Sequence, residues 1–352
     1  MKILLVAPQS RDTILGAIGS YCGNALKNLG YDTEVFDFRR SPYLRSPIGS
    51  LLKRVIRKVH PSLRWKFSLT ESLEKEKMNQ NLSEFVKDYK PDMMFMLMGD
   101  TISSRILKEA RQQGVVIANW FHDTVLAPTR KDFVLNISPA YDYFFIIDSE
   151  DVLDYVKIGA RCVRSIPLAC APEVHKRLDL TEEEQKKYWS EVCFVGTLKF
   201  DRAEVLSHLT DFDLGIWGNW IKKNPLLARY YRGKHFFGNE AVKINNAADI
   251  VLDINQGNEN QRFYVTPRVF EVPACGAFLL TEENPYLSSL YEIGTEIICY
   301  KDEKDLKELI KYYLEHPEER RKIARKGQER AYRDHTYEKR LQQIFSIIEK
   351  NG

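Results

Sequence analysis

The chain has 352 residues, of which 44% are hydrophobic and 29% are charged, as in an ordinary globular protein. A single hydrophobic core has usually stopped growing at this length, so two domains are expected. The net charge of +3 is too small to indicate a nucleic-acid partner, and no stretch reaches the roughly 18 apolar residues of a membrane span.

The cysteines are scattered along the chain and include no C-x-x-C pair, so they indicate neither a zinc site nor a disulfide framework. The six are Cys22, Cys162, Cys170, Cys193, Cys275 and Cys299. Most lie in apolar segments, as small core residues do. A reducing, cytoplasmic location is therefore expected.

The first half alternates short apolar runs with amphipathic helical patterns. The predicted strands are Ile3–Ala7, Thr33–Phe38, Met93–Met98, Val115–Trp120 and Tyr143–Ile147. Nearly continuous apolar strands separated by helices indicate a parallel sheet covered on both faces.

Residues 170–190 interrupt this rhythm with a polar stretch that is typical of a linker and a solvated helix. A second α/β series follows, with predicted strands at Val192–Val195, Leu214–Trp217, Ile250–Ile254, Phe278–Leu280 and Glu296–Tyr300. The prediction is an α/β protein with two doubly wound, Rossmann-like domains, residues 1–170 and 171–335. A terminal helix, residues 336–352, is expected to pack back on the first domain. A cleft between two such domains is the expected active site.

The segment from Arg262 to Glu282 carries the most chemistry. Pro267 suits the first turn of a helix, Glu271 follows in the first or second turn, and Gly276 ends the helix. A carboxylate near a helix start can accept two hydrogen bonds from a ribose diol, and Arg268 can fork onto a diphosphate. The alternative is a first-turn carboxylate that offsets the helix dipole, with Arg268 as its surface partner.

The pattern Arg-x-Phe-Glu-x-x-Ala-Cys-Gly at residues 268–276, then Leu-Leu-Thr-Glu and Gly-x-Glu-Ile, resembles the group 1 glycosyltransferases. The resemblance is closest to their CgeB-like (spore maturation protein) branch. It extends from Val192 to the end of the chain and includes Phe-Val-Gly-Thr at 194–197.

This resemblance implies a GT-B fold and transfer of a sugar from a nucleoside diphosphate sugar to a hydroxyl of a protein, glycan or lipid-linked acceptor. The donor is a UDP-, GDP- or dTDP-sugar, and neither a cofactor nor a metal is expected. Glu271 would bind the donor ribose. The residues expected at the diphosphate are Gly196, Thr197, Arg202 and Arg268.

The sequence departs from the group 1 pattern where many members carry an earlier glutamate that contacts the sugar. Phe263 stands at that position. Sugar contacts are therefore expected from Asn255, Gln256 or Arg262.

In the first domain, the glycines of residues 15–23 predict a loop where the first strand turns into a helix, whose pattern covers Gly19–Asn28. The backbone of that loop, at Gly16, would approach the donor. The alternative is that these glycines permit tight packing of a strand on a helix. Trp120-Phe-His122-Asp123 ends a predicted strand, so His122 or Asp123 is a candidate catalytic base; a structural role for the histidine is the alternative.

Residues 39–66 are basic and contain no acidic residue. An apolar stripe at helical spacing within them fits a helix that lies on an anionic membrane through residues 45–66, beside a lipid-linked acceptor. Guidance of an acidic acceptor and an ordinary packed helix are the alternatives. Asp211-Phe-Asp213 has the spacing of a metal motif but precedes a strand, where a structural role is expected.

Two other readings of the sequence remain open. One is a nucleotide-sugar epimerase on the same architecture, which would convert the donor alone. The other is a non-catalytic protein that binds sugar nucleotides or assembles a spore coat. A Rossmann dehydrogenase ranks last because the glycine fingerprint is missing.

Overall fold

The computed structural model describes residues 1–9, 13–39, 64–99, 101–123, 137–219, 224–234, 238–255 and 265–351; the side chains of 64–73 and 200 fall outside this description. The chain forms two compact units. Leu15–Ser165 with the first strand make one, and the chain from Ile166 onward makes the other, close to the predicted boundary at residue 170. Among the described residues, no helix is both long and apolar enough to cross a membrane.

The first unit is built on a six-stranded sheet in which all neighbours pair in parallel. The strands are β1 (Lys2–Val6), β2 (Asp32–Phe36), β3 (Met93–Leu97), β4 (Val116–Phe121), β5 (Tyr143–Ile146) and β6 (Val163–Ser165), in the order β2-β1-β3-β4-β5-β6. Its helices are α1 (Ile14–Asn28), α2 (Arg64–Tyr89), α3 (Ser104–Gln112) and α4 (Val152–Lys157), with a 3₁₀ turn at Ser138–Ala140. Every residue of β3 is buried, as expected for a central strand covered on both faces.

The second unit contains a second parallel six-stranded sheet. Its strands are β7 (Val192–Val195), β8 (Leu214–Trp217), β9 (Tyr231–Gly233), β10 (Ile250–Asp253), β11 (Leu279–Glu282) and β12 (Ile298–Tyr300). Their spatial order is β9-β8-β7-β10-β11-β12, so the direction of winding reverses between β7 and β10. This is the strand order of a dinucleotide-type Rossmann fold.

The second unit has helices before, between and after its strands. They are α5 (Glu182–Tyr188), α6 (Phe200–Ser207), α7 (Gly238–Ala247), α8 (Arg268–Ala274), α9 (Leu287–Leu290), α10 (Glu303–Glu315), α11 (Pro317–Asp334) and α12 (Tyr337–Asn351), with a 3₁₀ turn at Pro225–Tyr230. The predicted α/β class with two doubly wound units is confirmed.

The predicted glycine loop after β1 is wrong. Helix α1 begins at Ile14, so Gly16, Gly19 and Gly23 lie inside a helix. A Cβ on Gly19 would lie 2.0 Å from the carbonyl oxygen of Pro8, so the glycine lets the helix pack directly on the backbone after β1. The packing alternative therefore accounts for Gly19.

The last helix is bound to the segment that opens the second unit. Arg340 Nε donates to the carbonyl oxygens of Pro167 and Leu168 at 3.0 and 3.2 Å. Beside it, Cys170 and Thr336 form an isolated parallel bridge. These contacts tie the first and last segments of the second unit together. Packing of residues 336–352 on the first unit stays a prediction.

Candidate functional site

The carboxyl ends of β7 and β10 define the candidate site. In open α/β sheets, ligands bind beyond the carboxyl ends of the strands where the winding reverses. Gly196 and Thr197 follow β7, and Ile254 and Asn255 follow β10. Several of the predicted donor-binding residues therefore meet at this switch point.

The loops after β7 and β8 approach each other backbone to backbone. Gly218, directly after β8, has a φ of +131°, and a Cβ there would lie 1.9 Å from the carbonyl oxygen of Gly196. Gly196 N–H donates to the carbonyl oxygen of Trp217 over 2.9 Å. Only glycine fits at 218, and the loop after β7 thereby presents backbone rather than side chains.

Arg268, the first residue of α8, joins the ends of β7 and β10. Its Nε donates to Asp253 Oδ1 over 2.6 Å, and its Nη1 donates to the carbonyl oxygen of Val195 over 3.2 Å. Its Nη2 is buried and has no hydrogen-bond partner among the described residues. The guanidinium is thus fixed in place with one nitrogen uncommitted.

Asp253 holds the Arg268 guanidinium in place, and the sequence analysis did not identify this residue. Its carboxylate is fully buried and accepts hydrogen bonds from the hydroxyls of Thr266 and Thr281 as well as from Arg268. Such a fully bonded, paired carboxylate can be tolerated in the interior. The available signal was a charged residue that ends the otherwise apolar strand β10.

Arg202, in the first turn of α6, ties together the two loops at the switch point. It donates from Nε to the carbonyl oxygen of Ile254 and from Nη1 to that of Thr197, both over 3.0 Å. The Phe194 ring lies 5.6 Å from the Arg202 guanidinium and 5.5 Å from that of Arg268. Arg202 lies near the start of a helix after β7, as predicted, and these bonds hold the loop backbones in place; its contact with a diphosphate stays a prediction.

Glu271 lies in the first turn of α8, with 29% of its side chain exposed. Burial raises the pKa of its carboxyl to about 7, and the charge of Arg268 opposes that rise. Arg268 is paired with Asp253, and the group beside the Glu271 Oε1 atom is His175 Nε2, 3.8 Å away. The carboxyl is partly desolvated and lacks the full pairing that Asp253 has.

A cavity of about 200 Å³ lies at the carboxyl ends of β10, β11 and β12, and neither Arg268 nor Glu271 lines it. Asn255 lines it, and its Oδ1 has no partner among the described residues. Glu282, another lining residue, accepts the backbone N–H of Asn255, and burial raises the pKa of the Glu282 carboxyl. A sugar contact through Asn255 stays a prediction, and Gln256 and Arg262 lie outside the described residues.

In the first unit, His122 and Asp123 directly follow β4, as predicted. The His122 ring packs edge-on against Trp120, with centroids 4.7 Å apart, and its two nitrogens are buried with no hydrogen-bond partner in the described ranges. Burial lowers the pKa of His122 to about 3. The imidazole is therefore neutral near pH 7.

The other residues that the sequence singled out do not lie at this site or fall outside the described residues. Asp211 pairs with Lys307 and Asp213 pairs with Arg232, so the Asp-x-Asp pair is split between two ion pairs. Across the ranges that the structure describes, no group of three or more His, Cys, Asp or Glu side chains could hold a metal ion. Gly16 lies in α1, and most of the basic segment 45–66 lies outside the described residues.

The part of the chain that contains the candidate site is also the part that matches a known protein family. A family model described as "Glycosyl transferase-like" matches residues 202–346. The spore protein CgeB of Bacillus subtilis (strain 168) is 23% identical over 259 residues, which cover 68% of this chain and 77% of CgeB.

Solved structures share the whole fold. HepE of Anabaena, in complex with UDP and glucose, aligns with a TM-score of 0.64 at 13% identity and covers 99% of this chain and 100% of its own. Sucrose-phosphate synthase from Thermosynechococcus elongatus aligns with a TM-score of 0.63 at 13% identity and covers 99% and 98%.

The chain has the GT-B type of fold, and its residues 202–346 match a glycosyl transferase-like family. It is also similar to spore protein CgeB. The predicted resemblance to the CgeB-like branch is thereby confirmed.

Proposed function

We propose that this protein transfers a sugar from a UDP-sugar to a hydroxyl of a protein, glycan or lipid-linked acceptor, without a metal ion. The donor nucleotide lies at the switch point between β7 and β10, and the Glu271 carboxylate accepts hydrogen bonds from both hydroxyls of the nucleotide's ribose. HepE, with the same fold, was solved with UDP and glucose, which favours UDP over GDP or dTDP.

One observation carries the ribose assignment. Glu271 is a first-turn carboxylate that is partly desolvated, yet the neighbouring arginine pairs with Asp253 instead. A carboxylate left in this state is costly in the empty protein, and hydroxyl donors from a ligand would satisfy it.

The diphosphate is the charged part of the donor, and Arg268 Nη2 is the group that supports its placement. That nitrogen is buried without a partner among the described residues, and a phosphate oxygen would complete its bonding. The backbone N–H of Thr197 adds a donor where the loop after β7 leads into α6, whereas the N–H of Gly196 is already bonded to Trp217. Together these groups offset the charge that develops as the diphosphate leaves.

Acceptor activation is assigned to the first unit. His122 and Asp123 follow β4 at the carboxyl edge of its sheet, which is where functional groups collect in such folds. Either side chain could take the proton of the attacking hydroxyl. We place the protein in the cytoplasm, with membrane contact through residues 45–66 when the acceptor is lipid-linked.

The test combines ligand screening with one pair of variants. Thermal shift is measured with UDP, GDP and dTDP, because a ligand that binds the folded state raises the melting temperature. Glu271→Ala is expected to weaken UDP binding roughly 100-fold, since two hydrogen bonds to a charged group are lost, and to leave the fold intact. Glu318→Ala is the matched control, because Glu318 is an exposed carboxylate in the first turn of α11.

Turnover is then followed with UDP-sugars, with and without cell-wall extract and with and without EDTA. Product formation that needs an acceptor and survives EDTA supports metal-independent transfer. Conversion of the donor alone would identify an epimerase, and binding without turnover would identify a non-catalytic protein. Equal UDP affinity for Glu271→Ala and the wild type would refute the site.

A further inference from the structure

His175 lies against the candidate ribose-binding carboxylate and is held by its own backbone. Its side chain is 7% exposed. Its N–H donates to the carbonyl oxygen of Ala171 over 2.7 Å, and its own carbonyl accepts the hydroxyl of Tyr332 over 3.0 Å. The residue is therefore fixed between the segment that opens the second unit and helix α11.

The hydrogen bonds of the imidazole determine which nitrogen carries the proton. Ala171 N–H donates to Nδ1 over 3.0 Å, so Nδ1 is an acceptor and carries no hydrogen. Burial lowers the pKa of His175 to about 3, so the ring is neutral at ordinary pH. In the neutral ring the other nitrogen is then the donor, which places a proton on Nε2.

That proton lies on the nitrogen next to Glu271. The Nε2 atom is 3.8 Å from Glu271 Oε1, slightly longer than a formed hydrogen bond. Distances of this kind often shorten when a ligand binds.

We propose that His175 is a positioning residue for the donor: its Nε2–H orients the Glu271 carboxylate and stabilises its charged form when the ribose binds. This inference rests on the proposed function. His175 itself does not touch the nucleotide in this scheme; it acts through Glu271.

The other groups around this carboxyl favour or oppose its ionisation. Arg268 on α8 favours the charged form, whereas burial disfavours it. The thiols of Cys170, in the opening segment, and Cys275, at the end of α8, interact with Glu271 but stay protonated because burial raises their pKa. His175 is thus a fixed neutral donor among these groups, and its effect depends on whether Glu271 is charged.

The expected consequence is a pH-dependent loss of affinity. Removing the donor in His175→Leu should weaken UDP binding about tenfold at pH 7, the usual scale for a hydrogen bond to a charged group. It should also move the midpoint of the pH dependence upward, so that the deficit narrows toward pH 9. His175→Gln, which keeps an N–H donor at a similar reach, should restore most of the affinity.

The experiment measures UDP affinity by calorimetry from pH 6 to pH 9 for the wild type, His175→Leu, His175→Gln, Glu271→Gln and the double variant His175→Leu/Glu271→Gln. Each comparison is a ratio to the wild type at the same pH, so the titration of UDP itself cancels. His316→Leu, an exposed histidine in the same unit, is the control. Because the histidine acts through the carboxylate, the leucine substitution should add nothing once Glu271 is glutamine.

Two results would overturn the inference while leaving the proposed function standing. One is wild-type affinity in His175→Leu at every pH; the other is an equal, pH-independent loss in the leucine and glutamine variants, which would indicate a merely structural role. Failure of the wild type to bind nucleotide, or full binding by Glu271→Ala, would instead remove the proposed function and this inference with it.

Discussion

Arg268 and Asp253 form a buried ion pair across the switch point of the second sheet, with Nε and Oδ1 2.6 Å apart and no part of Asp253 exposed. In the proposed function Arg268 binds the donor diphosphate, so its guanidinium must be held in position when no donor is bound. The buried Asp253 carboxylate does this.

Loss of this carboxylate should cost stability. Asp253→Ala leaves Arg268 uncompensated and deprives two threonine hydroxyls of their acceptor, so we expect the free energy of unfolding to fall by about 3–5 kcal/mol. Urea denaturation measures it. Asp211→Ala, which breaks an ion pair whose aspartate is 76% exposed, should change the same quantity by less than about 1 kcal/mol. Equal losses in the two variants would contradict the role given to Asp253.

Gly218 should resist even the smallest substitution. In Gly218→Ala the new methyl would lie 1.9 Å from the Gly196 carbonyl oxygen, so the loops after β7 and β8 must separate. We expect a lower melting temperature and weaker UDP binding together.

Gly294→Ala is the control for backbone strain alone, because Gly294 also has a positive φ, +90°, but nothing lies within 4 Å of its Cβ position. That variant should lose only about 1 kcal/mol of stability and no UDP affinity. Unaltered UDP binding in Gly218→Ala would show that the close approach of the two loops is irrelevant to the site.

Glu271 should make the stability of the nucleotide-free protein depend on pH. Its pKa is raised from 4.5 to about 7 on folding, so the folded state binds the proton more tightly than the unfolded state does. The stabilisation from the protonated form is therefore present below about pH 4.5 and is lost as the pH rises through 7.

Glu271→Gln removes this dependence. Without nucleotide, the wild type should lose stability relative to Glu271→Gln between pH 5 and pH 8, as followed by denaturation at each pH. Parallel curves for the two proteins would show that Glu271 titrates normally.

Measurements of kcat can show which of the two candidate bases, His122 or Asp123, takes the proton. Replacing the true base, in His122→Asn or Asp123→Asn, should lower kcat about 100-fold or more and leave UDP affinity unchanged. Burial holds the pKa of His122 at about 3, so a fall in kcat as the pH drops just below neutrality must come from another group and should persist in His122→Asn. If that fall disappears in His122→Asn, the histidine is the group that titrates.

Much of the architecture was readable from local pattern. Apolar runs bounded by turn residues located β7 and β8 at their observed residues, Val192–Val195 and Leu214–Trp217. The three-residue strands β6 and β9 were missed because they are too short to produce a hydrophobic period and form only by pairing with a neighbour. The glycines at the start of α1 were mistaken for a loop, because the close approach of Gly19 to Pro8 is a tertiary contact that the sequence does not reveal.

The candidate site was only partly predictable, for the same reason. Glu271 and Arg268 could be found because one helix carries them at a recognisable spacing. Asp253 carried only the signal of a charge at the end of an apolar strand, because its partner Arg268 is 15 positions away. His175 carried none, because the Glu271 side chain beside it is distant in sequence. No local pattern encodes such a contact.

The bonding of Arg340 to Pro167 and Leu168 has a consequence for how the protein is made. During synthesis, those two carbonyl groups leave the ribosome long before the arginine that will satisfy them. The second unit therefore cannot complete this bonding until helix α12 has emerged, and a premature stop codon before Arg340 would yield a chain that chaperones and proteases can still recognise as incompletely folded.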